Sequence, residues 1–207
     1  MGQPASFDLI GGHLALDFVN TVDWRGDPAR RKELLVSFED LLAWAKTARL
    51  VTAADVRAMT GAAHRNEARA MRSLRRARRV REVLARVLTA AGGGARPAER
   101  DVRLVNAFLA AALRNRRLDI RGTAVVWSWA KRESDAFDSL WWPIVLAGAE
   151  LLSSEDRTNV RECSGDGCGW LFLDTSRNGR RRWCSMQGCG NRAKARRFYE
   201  RTREAIR

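Results

Sequence analysis

The stretch Cys163-Ser-Gly-Asp-Gly-Cys168-Gly-Trp-Leu-Phe-Leu-Asp-Thr-Ser-Arg-Asn-Gly-Arg-Arg-Arg-Trp-Cys184-Ser-Met-Gln-Gly-Cys189-Gly-Asn-Arg192 contains every cysteine of the 207-residue chain. The spacing is Cys-x4-Cys, fifteen residues, Cys-x4-Cys. Each pair supplies two thiolates from one turn, and an insert of hairpin length brings the pairs together. That is what a tetrahedral Zn2+ site needs. Two disulfides are the alternative for four clustered cysteines. They belong to secreted domains, and residues 1–8 carry neither a basic nor an apolar leader segment. A four-sulfur site leaves no open position on the metal, so the expected role is structural. The insert itself predicts a β-hairpin. Trp170–Arg177 is strand-like, Asn178-Gly179 is a two-residue turn, and Arg180–Cys184 returns, with Arg177 opposite Arg180 and Asp174 opposite Trp183.

After Cys189 the residues Ala195, Phe198, Tyr199, Thr202 and Ile206 recur at helical spacing, so a helix is expected from about Asn191. Its remaining surface is basic. From Arg177 to the C-terminus there are 11 basic and two acidic residues, a net +9 in 31 positions of a chain whose total is +14. Arg177, Arg180, Arg181 and Arg182 crowd one turn and repel one another unless an anion bridges them. Together with Lys194, Arg196, Arg197 and Arg201 they are the candidate phosphate contacts of a nucleic-acid-binding surface. Asn191 and Arg192 have the chemistry for adenine and guanine edges. They serve equally well as scaffold, with Asn191 capping the helix and Arg192 pairing with a carboxylate such as Asp174. Trp170 and Trp183 flank the cysteines and are expected to pack around the cluster.

These residues, ending in Cys189-Gly190-Asn191-Arg192, resemble the CGNR-type zinc finger over about residues 159 to 203. The resemblance implies a bacterial transcription regulator that binds DNA or RNA.

The rest of the composition is ordinary for a globular protein, with 45% hydrophobic and 30% charged residues. No apolar run approaches the ~18 residues of a membrane span, and a cytoplasmic protein is expected, nucleoid-associated if it binds DNA. Only four of the 38 basic residues are lysines, and the planar guanidinium fork suits phosphate and guanine better than an ammonium does. The fold class expected is mainly α with a small β-hairpin in an N-terminal domain (residues 1–152), followed by a treble-clef or zinc-ribbon-like module (159–207). Ser37 with Asp40 and Thr52 with Asp55 are helix-start signals. They predict a helix over 38–50 and another from 53 to about 91, interrupted near Gly61 or Asn66. A helix over 99–114 is followed by a hairpin turning at Gly122-Thr123 and a closing helix over 134–152.

Gly11-Gly-His-Leu-Ala-Leu-Asp17-Phe-Val-Asn20-Thr21 resembles the opening motif of the ABATE domain, which implies a stress-linked regulatory domain. Asp17, Asn20, Thr21 and Trp24 are candidates to line a pocket for a small-molecule effector, offering charge, hydrogen bonds and a ring. The same Asp17 and Asn20 are suited to pinning backbone between helices. Nine arginines between 65 and 86 form either a solvated helix face or an extension of the phosphate surface. Trp44, Trp127, Trp129, Trp141 and Trp142 lie in apolar runs and are expected in the core. His13 and His64 are the only histidines and are far apart. No phosphate loop, nucleophile elbow or zinc-protease motif occurs, and an enzyme is not expected. The functions in contention are a DNA-binding regulator, an RNA-binding protein using the same surface, and an interaction module for an acidic protein. A homodimer is compatible with each.

Overall fold

The computed structural model describes residues 7–130 and 136–205. The expected start of the closing helix at Ser134, residues 1–6 and Ile206 lie outside them.

Local signals set the helices. His13 caps α1 (Leu14–Val19) through Nδ1, which accepts from the Ala15 amide at 3.3 Å. Ser37 and Asp40 form a reciprocal capping box on α2 (Phe38–Thr47), and Thr52 and Asp55 do the same on α3 (Ala53–Arg65). The chain breaks at Asn66, whose side chain caps α4 (Glu67–Gly92). Two further helices, α5 (Glu99–Leu113) and α6 (Trp142–Ser153), complete the helical layer. The closing helix thus begins at Trp142, preceded by a short 3-10 turn at Asp138–Leu140. Pro143 sits in its first turn, where a missing N–H costs no hydrogen bond.

The α4 stripe Leu74, Ala77, Val80, Leu84, Val87 and Leu88 packs with α1, α2, α5 and α6 into one core that also takes in Val160 and Leu171 of the C-terminal module. Short antiparallel pairs decorate this core. Residues Val22–Asp23 (β1) pair with Lys32–Glu33 (β2). The ribbon of β3 (Arg116–Arg121) and β4 (Ala124–Trp129) turns at Gly122-Thr123. One face of that ribbon is bare, because Leu118, Ile120, Val125 and Trp127 are all exposed. Trp127 is therefore not core, in contrast to the expectation from its apolar run. A two-stranded ribbon has no second layer to bury that face.

The C-terminal module corrects the expected hairpin. Its strand β6 (Leu171–Leu173) pairs with β5 (Val160–Glu162), which precedes the first cysteine, and residues 180–184 form no strand. The turn at Ser176–Gly179 does form, with Gly179 at φ 59°. Beyond it the chain is held by side chains: Asp174 accepts from the Arg181 amide at 3.0 Å and Ser176 Oγ from the Arg180 amide at 3.2 Å. These bonds replace a strand ladder. A π-helical turn (Met186–Gly190) leads into α7 (Asn191–Ala205). Phe198 and Tyr199 of the α7 stripe stay exposed.

The other edge of β6 is zipped to the N-terminal domain. Asn20 Nδ2 donates to the Leu171 carbonyl at 2.8 Å, and its Oδ1 accepts the Leu171 amide at 2.9 Å. The Leu173 amide donates to Gly11 at 2.8 Å. The first cysteine turn lies on the loop after β1, where the Arg25 amide donates to Cys168 at 3.0 Å. Gly169 permits this approach: its φ is +65°, and a Cβ there would lie 2.6 Å from the Gly26 nitrogen. The two modules share one packed interface.

Candidate metal centre and basic cleft

All four cysteines are buried, and their sulfurs lie within 4.8 Å of one another. A tetrahedron with zinc–sulfur bonds of about 2.3 Å has sulfur–sulfur edges of about 3.8 Å. The Cys168–Cys184 and Cys184–Cys189 separations are 3.8 and 3.7 Å. The cluster is tightly enclosed, since a Cβ at Gly165 would stand 2.8 Å from Cys189 Sγ. As thiols, Cys163, Cys168 and Cys184 do not ionise together. Hydrogen bonds from Cys168 and Cys184 hold Cys163 down at about 2. The neighbouring Cys163 pushes Cys168 up to about 12, and Cys184 is raised as well. A divalent cation removes this conflict by letting every sulfur carry charge. The donor set and its spacing fit a metal.

Donors from the surrounding chain offset the charge of the thiolates. The amides of Cys184 and Gly165 donate to Cys163 Sγ at 3.2 and 3.4 Å. Arg192 Nη2 donates to Cys189 Sγ at 2.9 Å and lies 5.0 Å from the Trp24 ring. Arg192 is thus part of the metal centre's support, and its partner is a ligand sulfur where a carboxylate such as Asp174 had been one expectation. Asn191 is exposed and donates to the Gln187 carbonyl at 3.2 Å, across the π-turn. Trp170 and Trp183 both pack against the cluster, and Trp170 Nε1 donates to the Val22 carbonyl at 3.0 Å.

The arginines of the turn divide into two kinds. Arg177, Arg180 and Arg182 are exposed and ion-paired to nothing among the described residues. Arg181 turns inward. It donates to the carbonyls of Trp183 at 3.0 Å, Ile10 at 3.3 Å and Cys184, and covers the Phe172 ring at 4.3 Å. A phosphate-clamping role for Arg181 is therefore incompatible with its position. On α7, Lys194, Arg197 and Arg201 are exposed without ion pairs among the described residues, whereas Arg196 pairs with Asp166.

The arginines of α4 likewise do not form one solvated or phosphate-facing surface. Arg81 is 2% exposed and forks onto Glu33 with two bonds of 2.6 Å. It also bonds Glu82 at 2.9 Å and Thr21 Oγ1 at 3.1 Å. Arg76 pairs with Asp138 and Arg86 with Asp101, while Arg78 reaches the Leu35 carbonyl. Arg72, Arg75 and Arg79 remain on the outside.

Two concavities meet at Trp24, whose backbone lies in the left-handed region at φ 53°. For a bulky residue that conformation costs about 1–3 kcal/mol and persists only when its surroundings fix it. Here Arg30 stacks on the indole at 4.0 Å and Arg192 approaches the same ring. The first concavity, a cleft of about 400 Å³, is lined by Trp24, Trp183, Arg30, Arg182, Arg196 and Arg197. It spans both modules. Arg30 was not among the sequence candidates, because its place beside the finger depends on a loop contact with no local signature.

The second is a cavity of about 690 Å³ whose wall includes Asp17, Asn20, Thr21 and Trp24. These four candidates are brought together, yet Asn20 and Thr21 have structural duties. Asn20 uses its amide on Leu171, and Thr21 Oγ1 donates to the Phe18 carbonyl at 2.8 Å. Asp17 Oδ1 accepts from the Gly11 amide at 2.7 Å. Burial pushes its carboxyl up to about 6, against the lowering effect of that one bond.

Residues 12–155 match the family ABATE, described as "Putative stress-induced transcription regulator". Residues 159–202 match the CGNR zinc finger. No curated protein matches the chain. Among the described residues no helix is long and apolar enough to cross a membrane.

Proposed function

The chain belongs to the ABATE family and carries a CGNR zinc finger, and from that premise we propose that it is a zinc-dependent DNA-binding transcription regulator. Cys163, Cys168, Cys184 and Cys189 would hold Zn2+ in a closed sphere of four sulfurs. Bound there, the ion serves as a structural cross-link, fixing the basic turn relative to α7. The protein's own part is to present cations to a polyanion.

The observation that carries this reading is the set of exposed cations without ion pairs among the described residues, Arg177, Arg180, Arg182, Lys194, Arg197 and Arg201, on the cysteine module. Like charges kept this close without internal counter-ions raise the local positive potential, and a phosphate backbone is the ligand that lowers it. The arginine-lined cleft beside Trp24 and Trp183 extends the same surface onto the N-terminal domain. Arg181, Asn191 and Arg192 act as scaffold in this reading, and phosphate contact falls to the six free cations.

Full-length zinc-loaded protein should be titrated with random duplex DNA and with matched RNA at two salt concentrations, beside a Cys184→Ser variant. Preferential, zinc-dependent retention of duplex DNA is the expected result. Preference for RNA would move the function to post-transcriptional control. Retention of neither would remove the nucleic-acid reading and leave the basic surface to an acidic protein.

A further inference from the structure

The cavity at the junction of the two modules adjoins the basic cleft at Trp24 and Arg192 but has a different chemistry on its far side. We propose that it binds a small organic cation, an ammonium carried beside an aromatic ring, with Asp17 as the counter-ion. Its volume of about 690 Å³ lies in the range of small-molecule sites, roughly 300–1,000 Å³. Its wall is aromatic on several sides, contributed by Trp24, Trp44 and Trp170. Indole faces attract cations, the more so away from water.

One group in that wall lacks a counter-ion. Asp17 has no ion-pair partner among the described residues, and only the Gly11 amide bonds it. Burial raises Asp23, in the same wall, as it raises Asp17, but Asp23 differs in having Lys32 and Arg192 close enough to oppose that effect. The carboxylate that lacks a cation is therefore Asp17. An ammonium supplies what Asp17 lacks. Asn20 and Thr21 contribute shape, since their polar atoms are already engaged.

Part of the wall belongs to the finger, including Cys168, Cys184, Gln187 and Gly188, and the cations of the wall, Lys32 and Arg192, act on Asp23. A molecule seated on Asp17 therefore covers the second cysteine turn and holds it to α1. The site does not depend on the finger's binding nucleic acid, and its test does not use nucleic acid.

Calorimetric titration of full-length zinc-loaded protein with tryptamine and phenethylamine, against indole-3-acetate and phenylacetate, tests the assignment. Each amine should bind about tenfold or more tighter than the anion of similar shape. Asp17→Asn, which keeps an acceptor for the Gly11 amide, should bring the two close to parity. Saturating amine should also slow zinc release to a chelator several-fold in the wild type. Failure of both amines to bind at millimolar concentration would overturn the proposal, as would anions binding equally well. A preference that survives Asp17→Asn would overturn it too.

Discussion

Arg180 and Arg181 are adjacent in sequence, and replacing each by glutamine should give opposite phenotypes. Arg181 donates to three backbone carbonyls from two modules and covers Phe172. Hydrogen bonds to a charged group contribute about 1.5–3 kcal/mol each in isolation, and glutamine recovers at most part of this set. A net loss of about 2–3 kcal/mol on unfolding is the expected result for Arg181→Gln. Arg180 is exposed with no ion pair among the described residues, so its replacement should leave stability within about 0.5 kcal/mol. Nucleic-acid affinity should respond in the other sense. If the six free cations each neutralise one phosphate, log affinity falls against log salt with a slope of about −5, and each one removed shortens it by about 0.9. The combined Arg177→Gln, Arg180→Gln, Arg182→Gln variant should thus have a slope near −3, whereas folded Arg181→Gln keeps the wild-type slope. Urea denaturation and fluorescence anisotropy over a salt series measure the two quantities. A shortened slope with unchanged stability for Arg181→Gln would refute the division of the turn into scaffold and contact residues.

Other consequences follow from the same geometry. Arg81→Ala removes the buried fork on Glu33 and leaves Glu82 to Arg25 and Arg31, and should cost about 2–3 kcal/mol in denaturant titration. Arg81→Met should cost less only in combination with neutral replacements at both carboxylates. Asp17 has a folded pKa raised to about 6 from 3.8, so its contribution to stability is fully present below 3.8 and is lost as pH rises through about 6. Asp17→Asn should therefore stabilise at neutral pH by on the order of 1 kcal/mol, after discounting for partial exposure, and by nothing near pH 4. Gly169→Ala combines a left-handed backbone with a Cβ 2.6 Å from the Gly26 nitrogen, and should lower unfolding free energy by about 2 kcal/mol or more. Arg192→Ala removes the guanidinium from Cys189, and zinc loss to a chelator should speed about tenfold or more.

What the sequence disclosed was mostly local. Capping boxes at Ser37 and Thr52, the break at Asn66 and the cysteine spacing each involve residues within a few positions of one another, and each was readable. The strand partner of Leu171–Leu173 was not. Arg180–Cys184 has the right length and follows Asn-Gly, but those residues carry Arg181, whose bonds to Ile10 and Cys184 hold the chain out of a ladder. The inward turn of Arg81 was equally hidden. A run of arginines on a helix reads as one surface until Glu33, 48 residues away in the chain, takes one of them. The motif around Asp17 and Asn20 was conspicuous as a pattern, while its physical task required both modules in view: Asn20 closes on Leu171, 151 residues later.

For the nucleic-acid binding proposed above, that Asn20–Leu171 clasp, with Leu173 on Gly11, changes how the protein would search for a target. A finger on a loose tether explores a volume, can grip one segment of nucleic acid while its companion domain stays elsewhere, and tolerates changes of linker length. Here the finger's strand is stitched along α1, from Gly11 before it to Asn20 at its end, so finger and N-terminal domain hold their cations as a single fixed template. The protein should accept or reject a site as a unit. An exchange of fingers between relatives would have to carry the matching Gly11–Thr21 segment with it.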